Sequence, residues 1–129
     1  MAKVPFSKLK CKMNEEIKTI DFAGETIEIK QYLPIQEKLG LISRVIMAAH
    51  EESENYANPV KADVFMHLEI LFAYTNISFT EKQKEDLPKL YDAIRSSGLF
   101  EVVFNAIPED ELTTIDNGVL DTTDAVYQY

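Results

Sequence analysis

The segment "NPVKADVFMHLEILFAYTN", residues 58–76, constrains the fold more than any other. Val64, Phe65, Leu68, Leu71 and Phe72 recur at helical spacing but spread over more than one stripe. A helix apolar on most of its sides is stable in water only when neighbours cover those sides. A chain built around such a helix is a bundle with this helix at its centre. Asn58 suits the N-cap and Pro59 the first helical position.

The flanking segments supply the covering layers. In "LPIQEKLGLISRVIMAAHEESE", Pro34 suits the first helical position, and Ile35, Leu39, Ile42, Val45, Ile46 and Ala49 form one stripe expected to be buried. Gly40 weakens this helix by about 1 kcal/mol relative to Ala. "EESENYANP" is a polar connector. "FTEKQKED" begins with Thr80 and Gln83 at capping-box spacing. Pro88 breaks or restarts the helix, and "PKLYDAIRSSG" ends at Gly98, a C-cap residue type. "LFEVVFNAI" offers Leu99, Val102, Val103, Ala106 and Ile107 as an apolar face.

Upstream, "EIKTIDFAGETIEIKQ" alternates in type on both sides of Ala23-Gly24, the pattern of a β-hairpin. Pairing about that turn sets Ile20 opposite Ile27 and Lys18 opposite Ile29. Ile20, Phe22, Ile27 and Ile29 then share one face, and Thr19, Asp21, Glu28 and Lys30 face solvent. A lone hairpin is marginal in water, so its apolar face must rest on helices or its edges on another chain. Residues 1–14 carry a Pro and four Lys and read as a basic extended arm. Residues 15–129 read as a single domain. The expected class is α+β, mostly α: an N-terminal β-hairpin followed by a bundle of about five helices.

The last segment, "PEDELTTIDNGVLDTTDAVYQY", poses a choice between an acidic tail and a helix. Pro108 fits the first helical position, and Glu109, Asp110 and Glu111 complement the helix dipole in the first turn. Leu112, Ile115, Val119 and Val126 recur at helical spacing, with Thr122 continuing the stripe. Asn117-Gly118 is a turn-like pair that opposes a continuous helix. An ordered helix over much of 108–127 is the expectation. Its apolar face either finishes the bundle or docks a partner, with Leu120, Val126, Tyr127 and Tyr129 as candidate partner-binding residues.

Charge restricts the partners. The 129-residue chain carries 13 basic and 22 acidic residues, a formal net charge of -9. Binding a nucleic-acid backbone needs Lys and Arg to displace counterions, so nucleic acid is not the expected partner. Anionic membranes are disfavoured on the same ground. The ends differ in sign: residues 1–18 carry five Lys against Glu15 and Glu16, whereas residues 101–129 carry seven acids and no base. The asymmetry reads either as solubility plus chance or as attraction between the two ends, within a chain or between copies. Cys11 is the only cysteine, so no intrachain disulfide forms, which fits a reducing compartment. No run of 18 apolar residues exists to span a membrane, and the N-terminus lacks a signal-peptide core.

The residues offer little chemistry. His50 and His67 lack an i,i+4 histidine partner, and no paired-cysteine spacing exists from which to build a metal site. His67 reads as a hydrogen-bonded core residue and His50 as a helix-ending one. Cys11, between Lys10 and Lys12, has no base or orienting group near it in sequence. The acids Glu51, Glu52, Glu54, Glu109, Asp110 and Glu111 read as surface or cap positions. Glu69 is the carboxylate placed among apolar neighbours. "DNGVLD" has too few oxygen ligands for a calcium loop, and the four glycines are ungrouped. No enzyme activity, cofactor or metal is expected.

At "KQYLPIQEKLGLISRVI", "NPVKADVFMHLEILFAYTNISFTEKQKEDLPKLYDAIRSSGL" and "AIPEDEL" the chain resembles small proteins encoded by tailed phages of Gram-positive bacteria. The resemblance covers most of residues 2–115. Size and the order of a hairpin followed by helices are similar to the tail assembly chaperones of long-tailed phages. Those proteins coat the tape measure protein and recruit tail tube subunits. The resemblance therefore implies a self-associating morphogenesis protein of the host cytoplasm, with tape measure or tail tube protein as partner. No short motif carries a functional residue across. Two other readings stand beside it: a virion structural component (connector, tail or decoration subunit) and a small acidic inhibitor of a host protein.

Overall fold

Strand pairing in the hairpin has the register that the alternation predicts. The computed structural model describes residues 2–50 and 59–127, with side chains at 2–50 and 60–121. β1 (Ile17–Phe22) pairs antiparallel with β2 (Glu25–Lys30), placing Ile20 opposite Ile27 and Lys18 opposite Ile29. The turn holds both central residues at positive φ, 53° at Ala23 and 80° at Gly24. That is the two-residue hairpin geometry whose twist matches the strands. Glycine adopts it freely, whereas Ala23 is strained there. Ile27 and Ile29 are buried, Ile20 and Phe22 half-buried, and Thr19, Asp21, Glu28 and Lys30 exposed.

Six α-helices follow among the described residues: α1 (Ile35–Ala49), α2 (Pro59–Tyr74), α3 (Glu81–Lys84), α4 (Leu87–Ser97), α5 (Leu99–Asn105) and α6 (Glu109–Tyr127). α2 is the central one, packing against α1, α4, α5 and α6. It buries Ala62, Met66, Leu68, Ile70, Leu71 and Tyr74, and its half-buried Val64, Phe65 and Phe72 pack on the same core. The expected Asn58 cap and the polar connector lie outside the described residues. Thr80 and Gln83 form the capping box in both directions at α3. Asp86 caps α4 by accepting a bond from the Lys89 N–H, with Pro88 in its first turn, and Gly98 ends it. On α5 the buried residues are Phe100 and Val103, and Ala106 and Ile107 are buried just past its end. Leu99 and Val102 are only half-buried.

The buried stripe of α1 differs in phase from the one expected. Lys38, Leu41, Val45 and Ala49 face the core. Ile35 and Leu39, expected inside, are 56% and 60% exposed, with Ile42 and Ile46 on the boundary. The apolar residues of this helix fill two adjacent stripes, and periodicity alone fits either. What selects the inner one is the partner waiting for Lys38.

α6 is a continuous helix through Asn117-Gly118. Ile115 and Val119 are buried, so this helix finishes the bundle. Gly118 remains helical because α6 crosses α1 there: a Cβ would stand 2.6 Å from Ile42 Cδ1. The helix-propensity loss of a mid-helix glycine is the cost of that close approach. The N-terminal arm is exposed along residues 2–16 and contains one 3-10 turn, Phe6–Leu9, so it is not extended throughout.

Candidate functional site

Among the described residues the buried charges are Lys38 and Glu111, 5% and 6% exposed. Glu111 was expected at the surface of a first helical turn. Instead its carboxylate binds three elements together. Oε1 accepts from the Leu33 N–H at 2.8 Å and from the Tyr74 hydroxyl at 3.0 Å, and Oε2 accepts from Lys38 Nζ at 2.7 Å. Lys38 Nζ also lies 4.2 Å from the centre of the Tyr32 ring, a cation–π geometry. Burial first, then the charge and hydrogen bond of Glu111, push the Tyr74 hydroxyl far above the usual tyrosine range. Tyr74 therefore stays a donor. Each polar group in this cluster has a partner within it. Such an arrangement joins the β2–α1 loop, α1, α2 and α6.

The other titratable candidates sit apart from it. Glu69, expected among apolar neighbours, is half-buried and accepts from Arg44 Nε at 3.0 Å. His67 donates from Nδ1 to the Asp63 carbonyl at 2.7 Å, and its ring stacks on Phe104 at 5.1 Å. His50 stands at the C-cap of α1, its Nδ1 3.2 Å from the Ile46 carbonyl. Cys11 is exposed on the arm. No group of three or more His, Cys, Asp or Glu among the described residues is arranged to hold a metal ion. No helix among them is long and apolar enough to cross a membrane.

The surface is more telling than the interior. Ile35, Leu39, Ile42 and Ile46 succeed one another at intervals of four, three and four residues on one side of α1. That is the spacing of a helix seam made for another helix. Ile42 packs against Gly118, so the seam lies on the α6 side of α1. The neighbouring helix is acidic: α6 carries exposed Glu109, Asp110, Asp116 and Asp121 and no Lys or Arg. A second apolar groove of about 260 Å³ runs between α2 and α4, lined by Val60, Val64, Phe65, Pro88 and Tyr91. The arm adds exposed Val4, Phe6, Leu9 and Met13.

Of the residues expected to bind a partner, Leu120 stands 49% exposed on α6. Val126 and Tyr127 belong to the end of α6, their side chains outside the described residues, and Tyr129 lies outside them altogether. Sequence reasoning missed the α1 seam by assigning all of it to the core. The signal was present: nine apolar positions on a helix of 15 residues exceed what a single buried stripe needs. No family model, curated protein or solved structure matches this chain.

Proposed function

We propose that this protein is a non-enzymatic binding protein of phage tail morphogenesis, similar to a tail assembly chaperone. Its client is an apolar helical segment of a tape measure or tail tube protein. The observation that carries the reading is the α1 seam: four apolar residues at helix-docking spacing, two of them more than half exposed. Helix-in-groove recognition uses such a row of anchors. Covering the exposed 56% of Ile35 and 60% of Leu39 is worth roughly 1–2 kcal/mol each in transfer free energy. The acidic neighbouring helix keeps the free protein soluble while that surface is open, and it favours clients with basic flanks. The phage assignment is supported by the resemblance over residues 2–115, and the binding role by the seam, the groove and the satisfied interior.

A chaperone acts in the infected cell and leaves before the particle is complete. Quantitative mass spectrometry of infected-cell lysate and of purified particles tests this. The expected result is abundant protein in the lysate and none at stoichiometric level in the particle. A fixed stoichiometric copy number in particles overturns the chaperone reading in favour of a virion component, for which the exposed arm would be the docking element.

A further inference from the structure

Two exposed features of the described residues match each other. The first is "KLKCKM", residues 8–13, where Lys8, Lys10 and Lys12 alternate with Leu9, Cys11 and Met13. That is the period of a strand with one cationic and one apolar face. Yet the segment lies in no sheet and every residue of it is exposed: Lys8 and Leu9 end the 3-10 turn and Lys10 has a φ of 55°, so adding as a strand extends these three residues. The second is the outer edge of β1. Antiparallel pairing turns the backbone groups of alternate residues toward the partner and away from it. The Phe22–Glu25 turn closure and the bond from the Gln31 N–H to the Glu16 carbonyl fix the phase. Lys18, Ile20 and Phe22 point their N–H and C=O groups at β2, and Ile17, Thr19 and Asp21 point theirs outward. On the opposite edge of the hairpin, Glu28 is already covered: its N–H donates to Asn76 Oδ1 at 2.9 Å and its carbonyl accepts from the Asn76 N–H at 3.2 Å. Among the described residues nothing takes the outward backbone groups of Ile17, Thr19 and Asp21.

We propose that residues 8–13 of one copy add as a third strand to β1 of a second copy. An open edge is a template for such pairing. Leu9, Cys11 and Met13 would then extend the inner face beside Ile20 and Phe22, whose half-buried state leaves apolar surface to cover. Lys8, Lys10 and Lys12 would lie on the outer face, level with Asp21 and Glu28. Long-range charge favours the same union: the chain is -9 overall and +4 in residues 1–14, hence -13 elsewhere. The arm's own β1 is the poorer acceptor. Folding back requires a reversal at residues 14–16, where Asn14 Oδ1 holds the Glu16 N–H at 2.8 Å and the Glu16 carbonyl holds Gln31. A two-residue turn at Glu15-Glu16 would ask positive φ of both glutamates, and a three-residue one would ask it of Glu16. A second copy needs no such turn. The inference goes beyond the proposed function, since it concerns how copies join and not what they hold, and either can fail alone.

Sedimentation velocity on the full chain tests it, together with two variants. Lys8→Glu/Lys10→Glu/Lys12→Glu changes only exposed arm positions. Thr19→Pro removes an outward N–H while sparing the β1–β2 ladder, as edge strands tolerate. The expected result is a mass that rises with protein concentration and falls with salt, with the associated species lost in both variants at unchanged circular dichroism. The Lys18→Cys variant reports on geometry, because Cys11 is the only other thiol. Oxidation is expected to link Cys11 to the introduced thiol between chains. A monomer at every concentration overturns the proposal. So does association that survives the triple lysine variant, or a disulfide formed only within one chain.

Discussion

Replacing Glu111 with alanine removes the one buried carboxylate among the described residues and strands everything it holds. Lys38 Nζ loses a partner at 2.7 Å, the Leu33 N–H one at 2.8 Å and the Tyr74 hydroxyl one at 3.0 Å. Breaking a buried ion pair from one side costs about 3–5 kcal/mol, because the remaining charge stays desolvated. For a chain of this size that lowers Tm by roughly 10–20 °C. The cost comes from the orphaned ammonium, so removing it as well should help. Lys38→Met in the Glu111→Ala background is expected to raise Tm, although each substitution alone lowers it. Thermal and urea unfolding of the two single variants and the double variant measure this cycle. A Glu111→Ala loss below about 1 kcal/mol, or a further fall on adding Lys38→Met, would refute the claim that a buried ion pair fixes α6 to α1.

Three more outcomes follow from single residues. The folded-state pKa of Tyr74 is raised, so its contribution to stability is complete below the unfolded value of about 10 and is lost as pH rises past it; urea unfolding across that range should show a steeper alkaline loss in the native chain than in Tyr74→Phe, which itself costs about 1.5–3 kcal/mol at neutral pH. Gly118→Leu should destabilise by about 1–3 kcal/mol through overpacking against Ile42, and Gly118→Ala should be better tolerated in an Ile42→Val background, which lacks the Cδ1 atom, as differential scanning calorimetry will tell. Ala23→Asn should stabilise by about 1 kcal/mol, since Asn-Gly suits a turn with both central residues at positive φ; an unchanged or lower midpoint in urea would contradict the turn geometry.

Much of the fold is legible in the sequence because local chemistry fixes it. Alternation about Ala23-Gly24 determines the hairpin register, Thr80 and Gln83 mark the start of α3, and the all-round apolar character of residues 59–74 places α2 at the centre. Two things escape local reasoning. The phase of α1 depends on Lys38, and a lysine reads as a surface residue until its partner is known. That partner, Glu111, is 73 positions away and reads as a cap residue. Neither can be buried alone, so neither announces burial alone. Asn117-Gly118 misleads for a related reason: the glycine serves a contact with Ile42 in another helix, not a turn. The same misassignment hid the candidate site. With Lys38, Leu41, Val45 and Ala49 filling the inner stripe, Ile35 and Leu39 are left exposed beside it.

Co-purification with tape measure and tail tube proteins, the clients proposed above, tests the docking role of α1 most directly. The full chain and an Ile35→Lys/Leu39→Lys variant are compared, because both residues are exposed and their replacement should leave Tm within about 2 °C. The seam predicts capture of one of these proteins by the native chain and at least a tenfold loss of capture by the variant, about 1.4 kcal/mol or more. Equal capture by both chains, or none by the native one, would contradict it.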